Sequence, residues 1–302
     1  LLGAATFAGS WWLASSAGRP IHEVIDQAEE IEARSLGRGI QAYADTVEYR
    51  RLVEVLNTML ARIQGAFETQ RRFAADASHE LRSPLTAMRG ELELALRRDR
   101  DSEEYVRVLE STLEEVLRLS TITEDLLTLA RSDAGAMRPR LEIADATEVV
   151  SGVVERLRAK ADEKEIDLIF TAQPGLTGMI DSGLLGQAAW NFLDNALKFT
   201  PLGGNVAVEM RESGASLMLS VEDSGPGLGS ADPSTFFERF YRADSARTHG
   251  PEGGGTGLGL AIVKAVAEAH DGSASAENRL QGGARFVLSL PSTPPDRRGD
   301  DS

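Results

Sequence analysis

His79 stands in the run Ser78-His79-Glu80-Leu81-Arg82-Ser83-Pro84-Leu85, with an acidic neighbour and a proline close behind. Apolar residues at Phe73, Ala77, Leu81, Leu85, Met88 and Leu92 recur with helical period, which puts His79 on the opposite face, toward solvent. Pro84 offers no N–H to the Glu80 carbonyl, so a bend is expected beside the histidine. An exposed neutral imidazole is a nucleophile for a group that docks from outside. Farther on, Asn191, Asn195 and Lys198 fall at i, i+4 and i+7, so two amides and an ammonium share one helix face and can address one ligand. Asp223-Ser224-Gly225-Pro226-Gly227 follows a strand-like run, and its glycines admit close approach of backbone to a ligand. The string Gly253-Gly254-Gly255-Thr256-Gly257-Leu258-Gly259-Leu260 leads into an apolar helix, an arrangement that turns backbone N–H groups and the helix dipole toward phosphate.

Two kinds of element must hold these residues. From Leu52 through His79 to about Arg97 the pattern is one amphipathic helix, and polar residues 97 to 102 then turn the chain. A second helix carries Val106, Leu109, Leu113, Val116, Leu119, Leu126 and Leu129. The resulting hairpin has an apolar stripe too large to leave in water, and pairing two copies into a four-helix bundle buries it, so a homodimer is expected. Arg131 to Arg140, with Gly135 and Pro139, reads as a hinge. Beyond it helices and strands mix. Helical spacing at Val149, Val150, Val153 and Leu157 precedes a strand at 167–171; a helix over 182–199 precedes two alternating strands, NVAVEM and LMLSVED; a helix near 257–270 precedes the strand RFVLSLP. This pattern predicts a sheet covered on one face by helices, an α+β arrangement. No strand runs directly into the glycine string, which argues against a dinucleotide fold.

SHELRSPL (residues 78 to 85), WNFLDNALKFT, DSGPGL, FERFYR and GGTGLGLAIV resemble, in order and rough spacing, the motifs of sensor histidine kinases, and together they span most of residues 71 to 290. The resemblance implies an α-helical hairpin forming a dimeric four-helix bundle, followed by an α+β sandwich of the ATP-binding kind shared with gyrase, Hsp90-type chaperones and mismatch-repair ATPases. It implies ATP and Mg²⁺ as cofactors, with Mg²⁺ on Asn195, phosphate charge offset by Lys198 and the adenine amino group on Asp223. Asn191, Gly225, Gly227, Gly255, Thr256, Gly257, Leu258 and Gly259 complete the expected nucleotide site, and Arg242, ending the aromatic and basic box, is the candidate for the γ-phosphate. Lys198 also has Asp194 one turn away, so a surface ion pair is the alternative. Arg239 is as readily structural. The expected reaction is autophosphorylation of His79 assisted by Glu80, then transfer to an aspartate of a response regulator. Ser83 stands where relatives usually carry Thr or Asn to orient a water that dephosphorylates the regulator, so weak phosphatase activity is expected.

The rest of the chain fits a tethered signalling enzyme. Residues 1 to 18 carry no charge and would rise ~27 Å as a helix, near the ~30 Å hydrocarbon thickness. They read as a membrane helix at the end of a longer chain, in preference to a buried helix or signal segment, which would put the protein at the inner (cytoplasmic) membrane with residues after about 19 in the cytoplasm. Residues 19–70, two amphipathic runs around a Gly-containing connector, resemble a HAMP linker; an ordinary coiled-coil stalk is the alternative. The expected domains follow as 71–134 for dimerisation and phosphotransfer, 135–292 for ATP binding, and a disordered polar tail over 293–302. The chain has no cysteine, which excludes disulfides and thiolate chemistry, and a net charge of −15, which opposes binding to nucleic acid. Of the other histidines, His270 reads as a helix-end residue, His22 lies in the stalk, and His249 lies in residues 243–256, rich in Gly, Asp, Ser and Thr as expected for a mobile lid that orders over nucleotide. Two rivals remain: an ATPase of the gyrase or chaperone kind, whose catalytic Glu is Asn191 here, and a degenerate kinase that only signals by shape.

Overall fold

The computed structural model describes residues 39–40, 47–97, 101–242 and 255–293. The membrane-helix segment 1–18, His22, most of the lid with His249, and the tail from 294 on lie outside them. No described helix is long and apolar enough to cross a membrane. The chain divides into two compact units, Leu1–Ser78 and His79–Ser302. In the first, the Asn57 side chain holds Ile40 by two hydrogen bonds, accepting from its N–H at 2.7 Å and donating to its carbonyl at 3.1 Å, and Ile40 is buried.

Helix α1 (Val47–Leu96) runs unbroken with Pro84 inside it, as the continuous apolar period anticipates. Helix α2 (Ser102–Asp133) starts on Asp101, whose carboxylate accepts the Glu104 N–H at 2.7 Å, while Glu103 and Glu104 complement the positive end of the dipole. It extends three residues into the stretch read as a hinge before Gly135, at φ +61°, turns the chain. The expected stripe divides in two. Val106, Leu109, Leu113 and Val116 are exposed, whereas Leu129 and its neighbour on the helix face, Ile122, are each 1% exposed within one chain.

A two-stranded antiparallel ribbon, β1 (Glu142–Asp145) with β3 (Thr177–Ile180), and a five-stranded sheet make up the mixed domain. The larger sheet has order β2-β4-β5-β7-β6, built from β2 (Asp167–Ala172), β4 (Asn205–Ser213), β5 (Ser216–Asp223), β6 (Ser273–Asn278) and β7 (Ala284–Pro291). The β2–β4 pair is parallel and the others antiparallel. Register lines up Val208, Val221 and Phe286, then Met210, Leu219 and Leu288, all buried, as one apolar face. Helices α3 (Ala146–Glu163), α4 (Ser182–Phe199) and α5 (Gly259–Ala269) pack side by side and cover it. Phe192 of α4, fully buried, meets Phe286 at 5.7 Å between ring centroids. The other face is polar, with Glu222 of β5 paired to Arg279 and Arg285.

Candidate functional site

Strand period decides where Asp223 goes. It is in phase with Leu217, Leu219 and Val221, so its side chain lies on the apolar face, and it is only 3% exposed at the end of β5. Its Oδ1 accepts from the N–H groups of Gly225 at 2.8 Å and Ala284 at 3.2 Å, and burial pushes its pKa above the ordinary carboxylate range. Gly225 has no room for a side chain, since a Cβ would come within 2.8 Å of the Phe199 carbonyl oxygen.

Helix period places the second group. The face of α4 bearing Leu185, Ala189, Phe192 and Ala196 is buried, and Asn191, Asn195 and Lys198 run along its border. The helix is fixed at its start by Asp181, which caps the Leu184 N–H at 3.0 Å and accepts from Arg140 at 2.8 Å. Asp181 in turn donates its own N–H to Nε2 of His270 at 3.1 Å, and His270 Nδ1 faces the Val266 carbonyl at 2.9 Å. That pairing requires the neutral tautomer with the proton on Nδ1. His270 is thus the helix-end residue expected, and it also ties the end of α5 to the start of α4.

These residues converge on one cavity of about 520 Å³. Asn191, Asn195, Lys198, Asp223, Gly227, Arg242, Gly255, Thr256, Gly257 and Gly259 all line it. Gly225 stands behind Asp223, and Leu258 is fully buried beneath the loop, its N–H donating to Thr256 Oγ1 at 3.3 Å. Gly257 sits at φ +71° against the backbone of Phe240 and Tyr241, whose neighbourhood is held by a Phe240 N–H to Gly257 carbonyl bond of 2.9 Å. The ion pair considered between Lys198 and Asp194 is absent, because Asp194 is bound by Lys160 at 2.5 Å. Lys198 instead faces the cavity. Burial first, then the nearby cations Arg242, Lys160 and Arg118, lower its pKa to about 8, against a raising contribution from Asp194. Arg239 is structural, forking onto the Asp133 carboxylate at the end of α2, with one of its two bonds at 2.6 Å.

His79, Glu80 and Ser83 lie elsewhere. His79 and Ser83 are exposed on α1 and Glu80 is half-buried, and none of the three lines the cavity. Conversely, Arg118, Thr121, Ile122, Glu124 and Asp125 of α2 do line it, which the sequence did not reveal. Their helical period was visible, but not the neighbour that the face would meet. Asp125 is raised to about 6, by burial first and by the charge of Glu124 second.

A buried carboxylate at a strand end, an amide-and-lysine helix face and a glycine loop before a helix define a nucleotide pocket of the ATPase kind. The comparisons agree. Residues 180–294 match the histidine kinase-, DNA gyrase B- and HSP90-like ATPase family, and residues 69–135 match the His kinase A phospho-acceptor domain, together more than half of the chain. The chain belongs to the sensor histidine kinases. The sensor protein kinase PmrB of Pseudomonas aeruginosa is 33% identical over the whole of this chain, which spans 63% of that protein. Among solved structures, full-length ShkA in complex with AMPPNP is 30% identical with a TM-score of 0.55, over 73% of this chain and 45% of that one. The Acinetobacter baumannii histidine kinase AdeS shares the fold at a TM-score of 0.59 and 24% identity, over 71% of this chain and 98% of that one. The chain spans less than two thirds of the length of the curated relatives it matches.

Proposed function

We propose that this chain binds ATP in the cavity, transfers the γ-phosphoryl group to His79 and passes it on to an aspartate of a response regulator. The observation that carries the reading is the cavity itself, in which a buried acceptor, Asp223, and the cations Lys198 and Arg242 share one space of nucleotide size. Asp223 accepts from the adenine amino group; Lys198 and Arg242 neutralise the phosphates, the main task in phosphoryl transfer. Asn195 offers a neutral oxygen on the cavity wall, and such a donor fits Mg²⁺, an ion that shares its shell with phosphates and water. When bound, it would supply positive charge to offset the phosphates.

His79 attacks the γ-phosphorus through a ring nitrogen, and the bond to the leaving ADP oxygen breaks. Glu80 takes up the proton on the other ring nitrogen as positive charge develops. Because His79 does not line the cavity, the ATP-binding domain leaves its seat on α2 to reach it, or serves the histidine of a second copy. The exposed residues Leu109, Leu113 and Val116 support a homodimer through the hairpin. Ser83, one turn after His79, orients water for a weak phosphatase reaction. Residues 1–18 anchor the protein in the cytoplasmic membrane, 19–70 form a HAMP-like linker, 71–134 carry the acceptor and 135–292 the nucleotide. Asn191, an amide, cannot serve as base for water, which sets the simple ATPase reading aside.

The test is incubation of the chain with γ-labelled ATP and Mg²⁺. Protein label that is acid-labile and base-stable supports the kinase. Release of labelled phosphate with no label on protein makes it an ATPase, and neither outcome leaves only a shape-signalling module.

A further inference from the structure

The face of α2 that meets the ATP-binding domain carries Arg118, Ile122, Asp125 and Leu129, at i, i+4, i+7 and i+11. Ile122 and Leu129 are buried there, and α2 packs on α5, whose first residue Gly259 belongs to the phosphate-facing loop. The Arg239–Asp133 fork pins the far end of the same helix. Arg118 is therefore held over the cavity by anchors on its own helix, and it lines that cavity beside Lys198.

Its donors are unspent. The nearest carboxylate, Glu115 Oε1, is 3.7 Å from Nη1, too far for a hydrogen bond, and among the described residues no acceptor takes any of its five N–H groups. Glu115 Oε2 is buried without a partner, so this pair is incomplete on both sides. The charge of Arg118 is felt at Lys198 together with that of Arg242. Asp125, on the same face of α2, also lines the cavity, and burial first and the charge of Glu124 second raise its pKa.

We infer that Arg118 is a further phosphate-binding residue, contributed by the helical hairpin, that contacts the terminal phosphate of ATP alongside Lys198 and Arg242. The inference rests on the reading of the cavity as an ATP site. A guanidinium matches a phosphate's paired oxygens, and Arg118, Lys198 and Arg242 can offset the charge of a phosphate chain in a cavity whose lining also carries Glu124, Asp125 and Asp194. The nucleotide then bridges the hairpin and the ATP-binding domain, and only a triphosphate is long enough to use the third cation.

Equilibrium binding of ATP and of ADP to the full chain, with Arg118→Ala and Arg118→Lys, tests this. Arg118→Ala should weaken ATP about tenfold and ADP less than about twofold, the loss of one charge-assisted contact at a part-exposed site. Arg118→Lys, which keeps the charge and loses the fork, should lose less. An ATP/ADP preference unchanged in Arg118→Ala overturns the inference while leaving the ATP site standing. Equal weakening of both nucleotides marks a packing defect and overturns it too. A wild-type chain that binds neither nucleotide removes the ATP reading and this inference with it.

Discussion

Replacing Asp223 by Asn separates binding from folding at a single atom. Oδ1 of Asp223 serves the backbone, accepting from Gly225 and Ala284, and an Asn oxygen in that place keeps both bonds. Burial raises the pKa of Asp223, so its charge costs the folded state and an amide removes that cost. Asp223→Asn should therefore leave stability unchanged or raised by less than ~1 kcal/mol. In the proposed ATP complex its second atom, now NH₂, would present a donor to the adenine amino donor. The loss of one hydrogen bond to a charged acceptor is worth ~1.5 to 3 kcal/mol, or about 10- to 150-fold in Kd. Inosine triphosphate, with an acceptor in place of the amino group, should lose far less, so the preference for ATP over it narrows or inverts. Asp223→Ala, by contrast, takes the acceptor from the buried Ala284 N–H, a loss of ~1 to 3 kcal/mol, and from the half-buried Gly225 N–H, and should melt markedly lower. Nucleotide titration alongside thermal unfolding reads all of these. Undiminished ATP affinity in Asp223→Asn, or a loss matched by a fall in melting temperature, refutes the reasoning.

Gly257→Ala would put a Cβ 2.8 Å from the Phe240 backbone at φ +71°, and ATP affinity should fall at least ~10-fold, while Gly135→Ala, at φ +61° in open space, should leave binding unchanged; equal titration curves for the two would count against the loop geometry. Lys198, at about 8, passes from mostly charged to mostly neutral between pH 7 and 9, so ATP affinity should drop toward ~10-fold over that range, and Lys198→Met should flatten the profile. Asp125, raised from 3.8 to about 6, holds its proton more tightly in the folded state, so its contribution is full below pH 3.8 and is lost as pH rises to about 6. The shift corresponds to about 3 kcal/mol without screening and ~1 kcal/mol for a part-exposed group, so Asp125→Asn should gain about that much at pH 7 and remove this slope, which melting curves from pH 4 to 7 would show or deny.

Much of the cavity lining was legible because regular elements carry it. Asn191, Asn195 and Lys198 are spaced by the helix period, and α4 runs over the residues the pattern predicted, 182 to 199. Asp223 follows from the alternation of β5. The short strands β1, β3 and β6 were not legible: EIAD and SASAEN hold one β-branched residue between them, TGMI is only four residues with a glycine inside, and partners supplied by the fold make them strands. The α2 stripe shows the other gap. Period identified it as apolar, but Leu109 and Leu129 read alike in sequence, and only tertiary packing decides that one is exposed and the other buried in the chain. Lys160 taking Asp194 from Lys198 is a contact across 34 residues that local spacing could not reveal.

The most direct measurement of the central claim is labelling of His79→Gln with γ-labelled ATP and Mg²⁺, with ATP affinity determined on the same preparation. His79 is exposed and outside the cavity, so nucleotide binding should stay within about threefold of wild type while protein label disappears. Acid-labile, base-stable label persisting on the His79→Gln chain would contradict the account.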